Sequence, residues 1–234
     1  MSISSSEMRS QLAALPFWGR LSAEEQNAAL ACAQIKNYAK GSLIYGNDQA
    51  CLGFIRVLQG AVRVFMLSEE GREILLYRVE SGDMDVLSAS CVMKAITFET
   101  QMVAESDTRL LIVPAACLAG FKQDNVHVRC FIFEKLGERF SDVMREMQSI
   151  LFTRVDRRIA AALLQKRQQL QSPVLPLTHE QIAREINSSR EVVSRTLKEM
   201  ERQGQISLGR GRIRLQDAEA LQEMAAGNFS AYRP

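Results

Sequence analysis

Seven apolar residues, Val126, Phe133, Leu136, Phe140, Val143, Met147 and Ile150, recur at alternating spacings of three and four, broken only where Arg129 takes the place between the first two. Such a repeat belongs to an α-helix with one continuous apolar seam. Asp124 or Asn125 can cap its start. A helix of about 27 residues spans about 40 Å at 1.5 Å per residue, too long to lie across one small domain. Its seam therefore calls for a second copy of itself, which makes the chain a parallel homodimer. Cys130, Phe131, Ile132, Met144 and Leu151 supply a second apolar face. That face leaves open the other packing, a helix resting only on its own domain.

The helix separates two textures. Residues 7–33 read as short helices, with Ser22 and Glu25 placed as a capping box. From residue 34 to residue 114 short β-rich runs follow, at 42–45, 53–58, 61–67, 74–79, 101–104 and 109–113, with Gly41, Gly46, Gly60, Gly71 and Gly82 between or beside them. Many short strands at close spacing indicate a small roll or jelly roll. The clearest hairpin joins V-R-V-F-M-L to I-L-L-Y-R-V through a turn in which Gly71 can take positive φ.

Past the long helix, residues 155–169 carry Ile159, Leu163 and Leu164 on one face, and Ser172-Pro173 ends that helix. Two short helices follow. Thr178 with Gln181 forms a capping box for the first, and Ser188 with Glu191 forms one for the second, across an N-S-S turn. Ile182, Ala183, Ile186, Val192, Val193, Leu197, Met200 and Ile206 can hold the pair at an angle. Arg190, Glu191, Ser194, Arg195 and Lys198 are left on the outer face of the second helix, where a recognition helix meets the major groove. Arginine can make two bonds to guanine, and glutamate can accept from cytosine N4. Arg210, Arg212 and Arg214 flank Gly209 and Gly211 at a hairpin tip suited to a sugar-phosphate backbone. Each of these charges also fits a plain solvated surface.

Charge supports the division. Lys and Arg number 15 against 18 Asp and Glu up to residue 151, and 14 against 9 beyond it. The positive excess sits in the part that carries the two capped helices, where phosphate neutralisation needs it. No basic start followed by an apolar run opens the chain, and no apolar stretch reaches about 18 residues. A cytoplasmic protein without a membrane partner is expected. Cys32, Cys51, Cys91, Cys117 and Cys130 are odd in number and never form a C-x-x-C pair. A zinc ribbon or disulfide framework is not expected; buried small hydrophobes in a reducing compartment are, with a redox role as the alternative.

The stretch I-A-R-E-I-N-S-S-R-E-V-V-S-R-T-L-K-E-M-E-R-Q-G-Q-I closely resembles the signature of the CRP/FNR family, and the likeness extends over the whole chain. The resemblance implies an α+β protein. An N-terminal double-stranded β-helix (jelly-roll) sensor domain would occupy residues 1–123, a dimerisation helix 124–151 and a C-terminal winged helix-turn-helix 152–234. It implies that Glu191 and Arg195 read a TGA core in each half of a palindromic double-stranded DNA site. Arg190 matches the extra base-reading arginine of one branch and Ser194 the serine of another, so the half-site dialect stays open. Phosphate contacts are expected from Thr178, His179, Ser189, Lys198, Arg210 and Arg212. His179 stands where the CRP branch carries an arginine, and a neutral imidazole brings no fixed charge. RNA polymerase is the implied partner, and activation the implied sign of regulation.

Cyclic-nucleotide members hold the phosphate with an arginine of the roll, followed by Ser or Thr. Alignment on Ala104 puts Phe98 and Glu99 at those two places, and a carboxylate there repels a phosphate. Val143 and Met144 stand where hydroxyl side chains would meet the purine. Cyclic AMP is not the expected effector; a small molecule or a redox signal is, with Cys91 in the family's ligand loop as the first sensing candidate. The cysteine pattern of iron-sulfur sensors is missing, no metal set is evident, and any cofactor remains unknown. A cupin-like metal enzyme needs a histidine cluster that two histidines cannot form. A regulatory module without DNA binding is the other alternative, and the paired helices argue against it.

Overall fold

In the computed structural model, residues 5–46, 52–69, 71, 73–86 and 100–226 are described. The chain divides into two compact units, one of residues up to 144 apart from 73–75, the other of residues 145 onward together with 73–75.

The first unit opens with α1 (Ser5–Ala13), a 3-10 turn (Trp18–Arg20) and α2 (Ala23–Cys32). The capping box forms as expected: Glu25 N donates to Ser22 Oγ at 3.2 Å and Ser22 N donates to Glu25 Oε2 at 2.6 Å. The strands among the described residues are β1 (Gln34–Tyr38), β2 (Leu43–Tyr45), β3 (Phe54–Gln59), β4 (Ala61–Leu67), β5 (Glu73–Glu80), β6 (Met84–Asp85), β7 (Gln101–Ala104) and β8 (Thr108–Val113). They make two four-stranded sheets, ordered β1-β8-β3-β6 and β2-β7-β4-β5. The pairings described are antiparallel, with Ile55 opposite Ile112 and Val64 opposite Met102. Gly71 takes φ 76° in the β4–β5 turn. Gly60, at φ 85°, turns β3 into β4 so tightly that a Cβ would lie 2.6 Å from Asp107 O.

The apolar run L-L-I-V of β8 explains how the roll is layered. Leu110 and Ile112 join Ile55, Val57, Val62, Val64 and Met102 in a core between the sheets. Leu111 and Val113 face the other way, into a core with Leu12, Leu15, Phe17, Phe54, Phe121, Val128 and Phe131. A strand buried on both faces loses the polar alternation of a surface strand. Each fully buried Leu or Ile contributes roughly 1.5–3 kcal/mol.

Then comes α3 (Ala115–Asp124), an element with no sequence expectation, and α4 (Val126–Phe152). Asn125 caps α4, its Oδ1 accepting from His127 N at 3.1 Å and Val128 N at 3.3 Å. Val128, Phe131 and Ile132 are buried in the roll's outer core. The opposite side leaves Phe133 64% and Phe140 67% exposed, with Val126 and Met147 also exposed. Leu136 and Val143 pack partly on the roll's core, and Ile150 is half-buried. The second apolar face expected from Cys130, Phe131, Ile132, Met144 and Leu151 is only partly there: Cys130, Met144 and Leu151 are exposed. Counted round the helix, those three fall on the side away from Val128, so a roll that covers Val128, Phe131 and Ile132 leaves them out.

One buried charge on α4 had no sequence signal. Arg139 Nε donates to Asp85 Oδ1 at 3.1 Å, Nη2 to Met84 O at 2.8 Å and Nη1 to Asp142 Oδ2 at 2.9 Å. Its guanidinium lies 4.8 Å from the Tyr77 ring centroid, and Tyr77 Oη donates to Asp85 at 3.2 Å. Burial works against the charge of Arg139, but Asp85, then Tyr77 and Asp142, overrides it and holds the group above its ordinary range. Burial first, then the Asp85 carboxylate, pushes the Tyr77 phenol well up.

The cysteines need a correction. Cys32, at the end of α2, and Cys117, in α3, form a disulfide. Their separation of 85 residues carries no local signature; helix packing brings them together. Cys130 is a free, exposed cysteine. Among the described residues, no helix is long and apolar enough to cross a membrane.

The second unit contains α5 (Val155–Leu170), β9 (Val174–Leu175), α6 (His179–Glu185), α7 (Arg190–Arg202), β10 (Ile206–Gly209), β11 (Arg212–Leu215) and α8 (Ala218–Ala226). Its strands order as β10-β11-β9. The short β9, which sequence reading passed over, pairs Leu175 with Ile213. Ile159, Leu163, Ile182, Ile186, Val193, Leu197, Met200 and Leu221 share one core.

Candidate nucleic-acid interface

Two devices set the angle of α6 and α7. Thr178 caps α6 in a full box, with Gln181 N donating to Thr178 Oγ1 at 3.2 Å and Thr178 N donating to Gln181 Oε1 at 2.8 Å. The chain then turns through Asn187, whose φ of 50° is left-handed, while Ser188 N donates to Ala183 O at 2.9 Å. Asn tolerates that region better than most residues. The turn consumes Ser188, so the cap of α7 is Ser189, its Oγ accepting from Val192 N at 3.3 Å. This corrects the expected Ser188–Glu191 box. Three residues beyond Ser189 stands Val192, which cannot reciprocate, so Glu191 is not held as a capping partner. Arg158 Nη1 donates to Ile186 O at 2.7 Å and ties α5 to the same turn.

The helix α7 is partitioned lengthwise. Val193, Leu197 and Met200 are buried, while Val192, expected in the core, is half-buried. Glu191, Ser194, Arg195, Lys198, Glu199 and Arg202 line an open groove of about 450 Å³. Arg190 is exposed in the first turn. Among the described residues no salt bridge engages Arg190, Glu191, Arg195 or Lys198, whereas Glu199 is taken by Arg202 at 2.6 Å. The Arg202 and Gln203 side chains hold the Glu199 carboxyl below its ordinary value. That pair was not foreseen, although its three-residue spacing on a helix is the signal that could have shown it.

Thr178 is exposed, and His179 and Ser189 are half-buried. Burial first, then the nearby positive charges of Arg190 and Lys198, keeps the His179 imidazole below its ordinary value. The first turn of α6 and the outer face of α7 thus share one cationic surface. On the hairpin, Arg210 and Gly211 form a two-residue turn between paired Gly209 and Arg212, with Gly211 at φ 67°. Arg210, Arg212 and Arg214 are all exposed. The last turn of α7 reaches this wing, where Glu201 Oε1 accepts from Leu208 N at 2.6 Å.

Of the sensor candidates, Val143 is half-buried and Met144 exposed. Cys91, Phe98 and Glu99 lie outside the described residues. Among those described, no three His, Cys, Asp or Glu side chains are grouped to hold a metal ion.

A jelly roll followed in sequence by a long helix and a winged helix-turn-helix is the architecture of a DNA-binding regulator. The model of the Crp-like helix-turn-helix domain matches residues 157–224, and that of the cyclic nucleotide-binding domain matches residues 35–125. A CRP/FNR-family protein from Eubacterium rectale, known by crystal structure, is 36% identical, with a TM-score of 0.85 over 90% of this chain and 98% of that one. The transcriptional regulator SdrP of Thermus thermophilus is 29% identical over 176 residues, 73% of this chain and 82% of SdrP. The cyclic AMP receptor protein of the same organism is 26% identical over 219 residues, 91% of this chain and 97% of that protein. The chain belongs to the CRP/FNR family of transcription regulators.

Proposed function

We propose that two copies of this chain pair along α4 and read a palindromic DNA site with TGA-core half-sites. The observation that carries this reading is the partition of α7: a buried stripe anchors the helix, and an outer row of Glu191, Arg195 and Lys198 has no salt-bridge partner among the described residues. Charged groups left unpaired on a rigid, capped scaffold are preorganised for an external partner. In this reading Glu191 and Arg195 take cytosine and guanine of the core, with Arg190 and Ser194 tuning the flanking pairs. Thr178, His179, Ser189, Lys198, Arg210 and Arg212 contact phosphates and set register.

Dimerisation is supported by the exposed Phe133, Phe140, Val126 and Met147 on α4. The division of labour follows the sequence: residues 1–123 sense, 124–151 dimerise and 152–234 read DNA. The protein acts as an activator that engages RNA polymerase, under control of a small-molecule or redox signal. Cyclic AMP is not that signal, because Phe98 and Glu99 replace the phosphate-holding arginine and its hydroxyl neighbour.

Phe140→Glu tests the reading by placing two carboxylates in the seam. Sedimentation should show monomers, and retardation of the selected palindrome should be lost; an unchanged dimer would sink the interface. Calorimetry with cyclic AMP should give no binding heat, and a micromolar isotherm would overturn the effector assignment.

A further inference from the structure

The disulfide Cys32–Cys117 sits where four elements converge. It joins the last residue of α2 to α3, and α3 leads through Asn125 directly into α4. The Asn125 amide donates to Arg20 O at 3.0 Å and reaches Glu25 of the α2 capping box at 3.4 Å, while its Oδ1 caps α4. Phe131 of α4 meets Phe17 of the lead-in at 5.0 Å between ring centroids. The lead-in, α2, α3 and the first two turns of α4 are one packed block, and the disulfide is its only covalent cross-link among the described residues.

Both cysteines are half-buried, so a small thiol or peroxide can reach them. The roll also has a second apolar core, between its sheets, on the other face of β8 from this block. Such a domain does not need a staple to fold, unlike a small one with little core.

We propose that Cys32 and Cys117 are a reversible redox modification site, and that the disulfide state clamps the start of α4 and thereby sets the DNA affinity of the dimer. The proposal rests on the redox-responsive reading above. Reduction proceeds by exchange with a dithiol: one of its thiolates attacks a protein sulfur, and its second thiol resolves the mixed disulfide. Two electrons and two protons pass to Cys32 and Cys117, and the reductant leaves as its own disulfide. A hydroperoxide reverses the change. With hydrogen peroxide, one thiol becomes a sulfenic acid with release of water, and the other thiol condenses with it to release a second water.

The test uses the full chain with Cys51, Cys91 and Cys130 changed to Ser, so that the pair alone responds, alongside the wild type. Each is oxidised with hydrogen peroxide or reduced with dithiothreitol, freed of reagent, and checked by alkylation and peptide mass mapping. Amide exchange over residues 126–133 should be slower in the oxidised form, and affinity for the selected duplex should differ between forms by at least about fivefold. Cys32→Ser and Cys117→Ser should each abolish the response; Cys117→Ala serves if the serine variant fails to fold. Equal exchange in two forms of proven redox state overturns the clamp, whatever the DNA result. A response that persists in Cys32→Ser also overturns it. If neither form binds the palindrome while exchange still differs, the clamp stands and the DNA-site assignment fails.

Discussion

Arg139 and Arg195 carry the same guanidinium on two helices and hold it in opposite settings. Arg139 on α4 is 7% exposed and is engaged by Asp85, Asp142, the Met84 carbonyl and the Tyr77 ring. Arg195 on α7 is exposed, lines an open groove and joins no salt bridge among the described residues. The first arginine is fully occupied inside the protein, and its charge does structural work there. The second is held out by a helix whose apolar stripe does the anchoring. What separates the two arginines is therefore whether the fold supplies a counter-charge, and residue type carries no trace of that.

The contrast can be broken most forcefully at Arg139. Arg139→Met removes the guanidinium that bonds the fully buried Asp85 carboxylate and should lower the unfolding free energy by about 3–5 kcal/mol, measured by denaturant titration. Adding Asp85→Leu should recover most of the loss; an unchanged midpoint in the single variant would show that the pair is not structural. Arg195→Ala should leave stability within about 0.5 kcal/mol of the parent. It should instead cost roughly 1–3 kcal/mol of binding and relax preference at one guanine in selections from random duplexes. Arg212→Ala sharpens the distinction, since a lost phosphate contact weakens all sequences alike and lowers the salt slope by about one unit. Full discrimination retained by Arg195→Ala would move the recognition face elsewhere.

The smallest effect is expected at His179. Its imidazole lies below the ordinary value of about 6.5 in the free protein, because of burial, Arg190 and Lys198, and is neutral at pH 7. Its contribution to stability is therefore present above 6.5 and is lost as pH falls through the depressed value. In the proposed contact a DNA phosphate would raise that value, so binding would take up protons and affinity should increase as pH falls below 7. Fluorescence anisotropy from pH 7.5 to 6 should show a gain of about two- to threefold that is absent in His179→Gln. A parallel pH response in both proteins would remove His179 from the phosphate contacts.

Regular patterns were the legible part of this chain. The 3-4 spacing on α4, the alternating strands β4 and β7, and the box at Thr178 each depend on neighbours within a few residues, and each appears where its pattern lies. Features decided by tertiary packing were not legible. The Cys32–Cys117 bond spans 85 residues, and Arg139 finds Asp85 from a different element 54 positions away. The two-residue strands β6 and β9 are too short to show a period. The cap at Ser189 was missed by one residue, because the left-handed Asn187 lengthens the turn and both serines carry the same hydroxyl. On the outer face of α7 the residues were readable by type, and the structure adds that Glu199 is engaged by Arg202 while Arg195 is not.

The lengthwise partition of α7 bears on how such a regulator changes over evolutionary time. Val193, Leu197 and Met200 fasten the helix to Ile159, Leu163 and Ile182, and none of these side chains belongs to the exposed row. Exposed positions outside a packed core tolerate exchange with little loss of stability. Exposed Glu191 and Arg195, and half-buried Ser194 outside that core, can therefore be replaced singly while the scaffold keeps its shape. With these residues reading the operator as proposed, a duplicated copy can drift toward a new one through two or three substitutions, without first passing through a poorly folded intermediate. Arg139 has no such latitude, since its counter-charge would have to change in the same step.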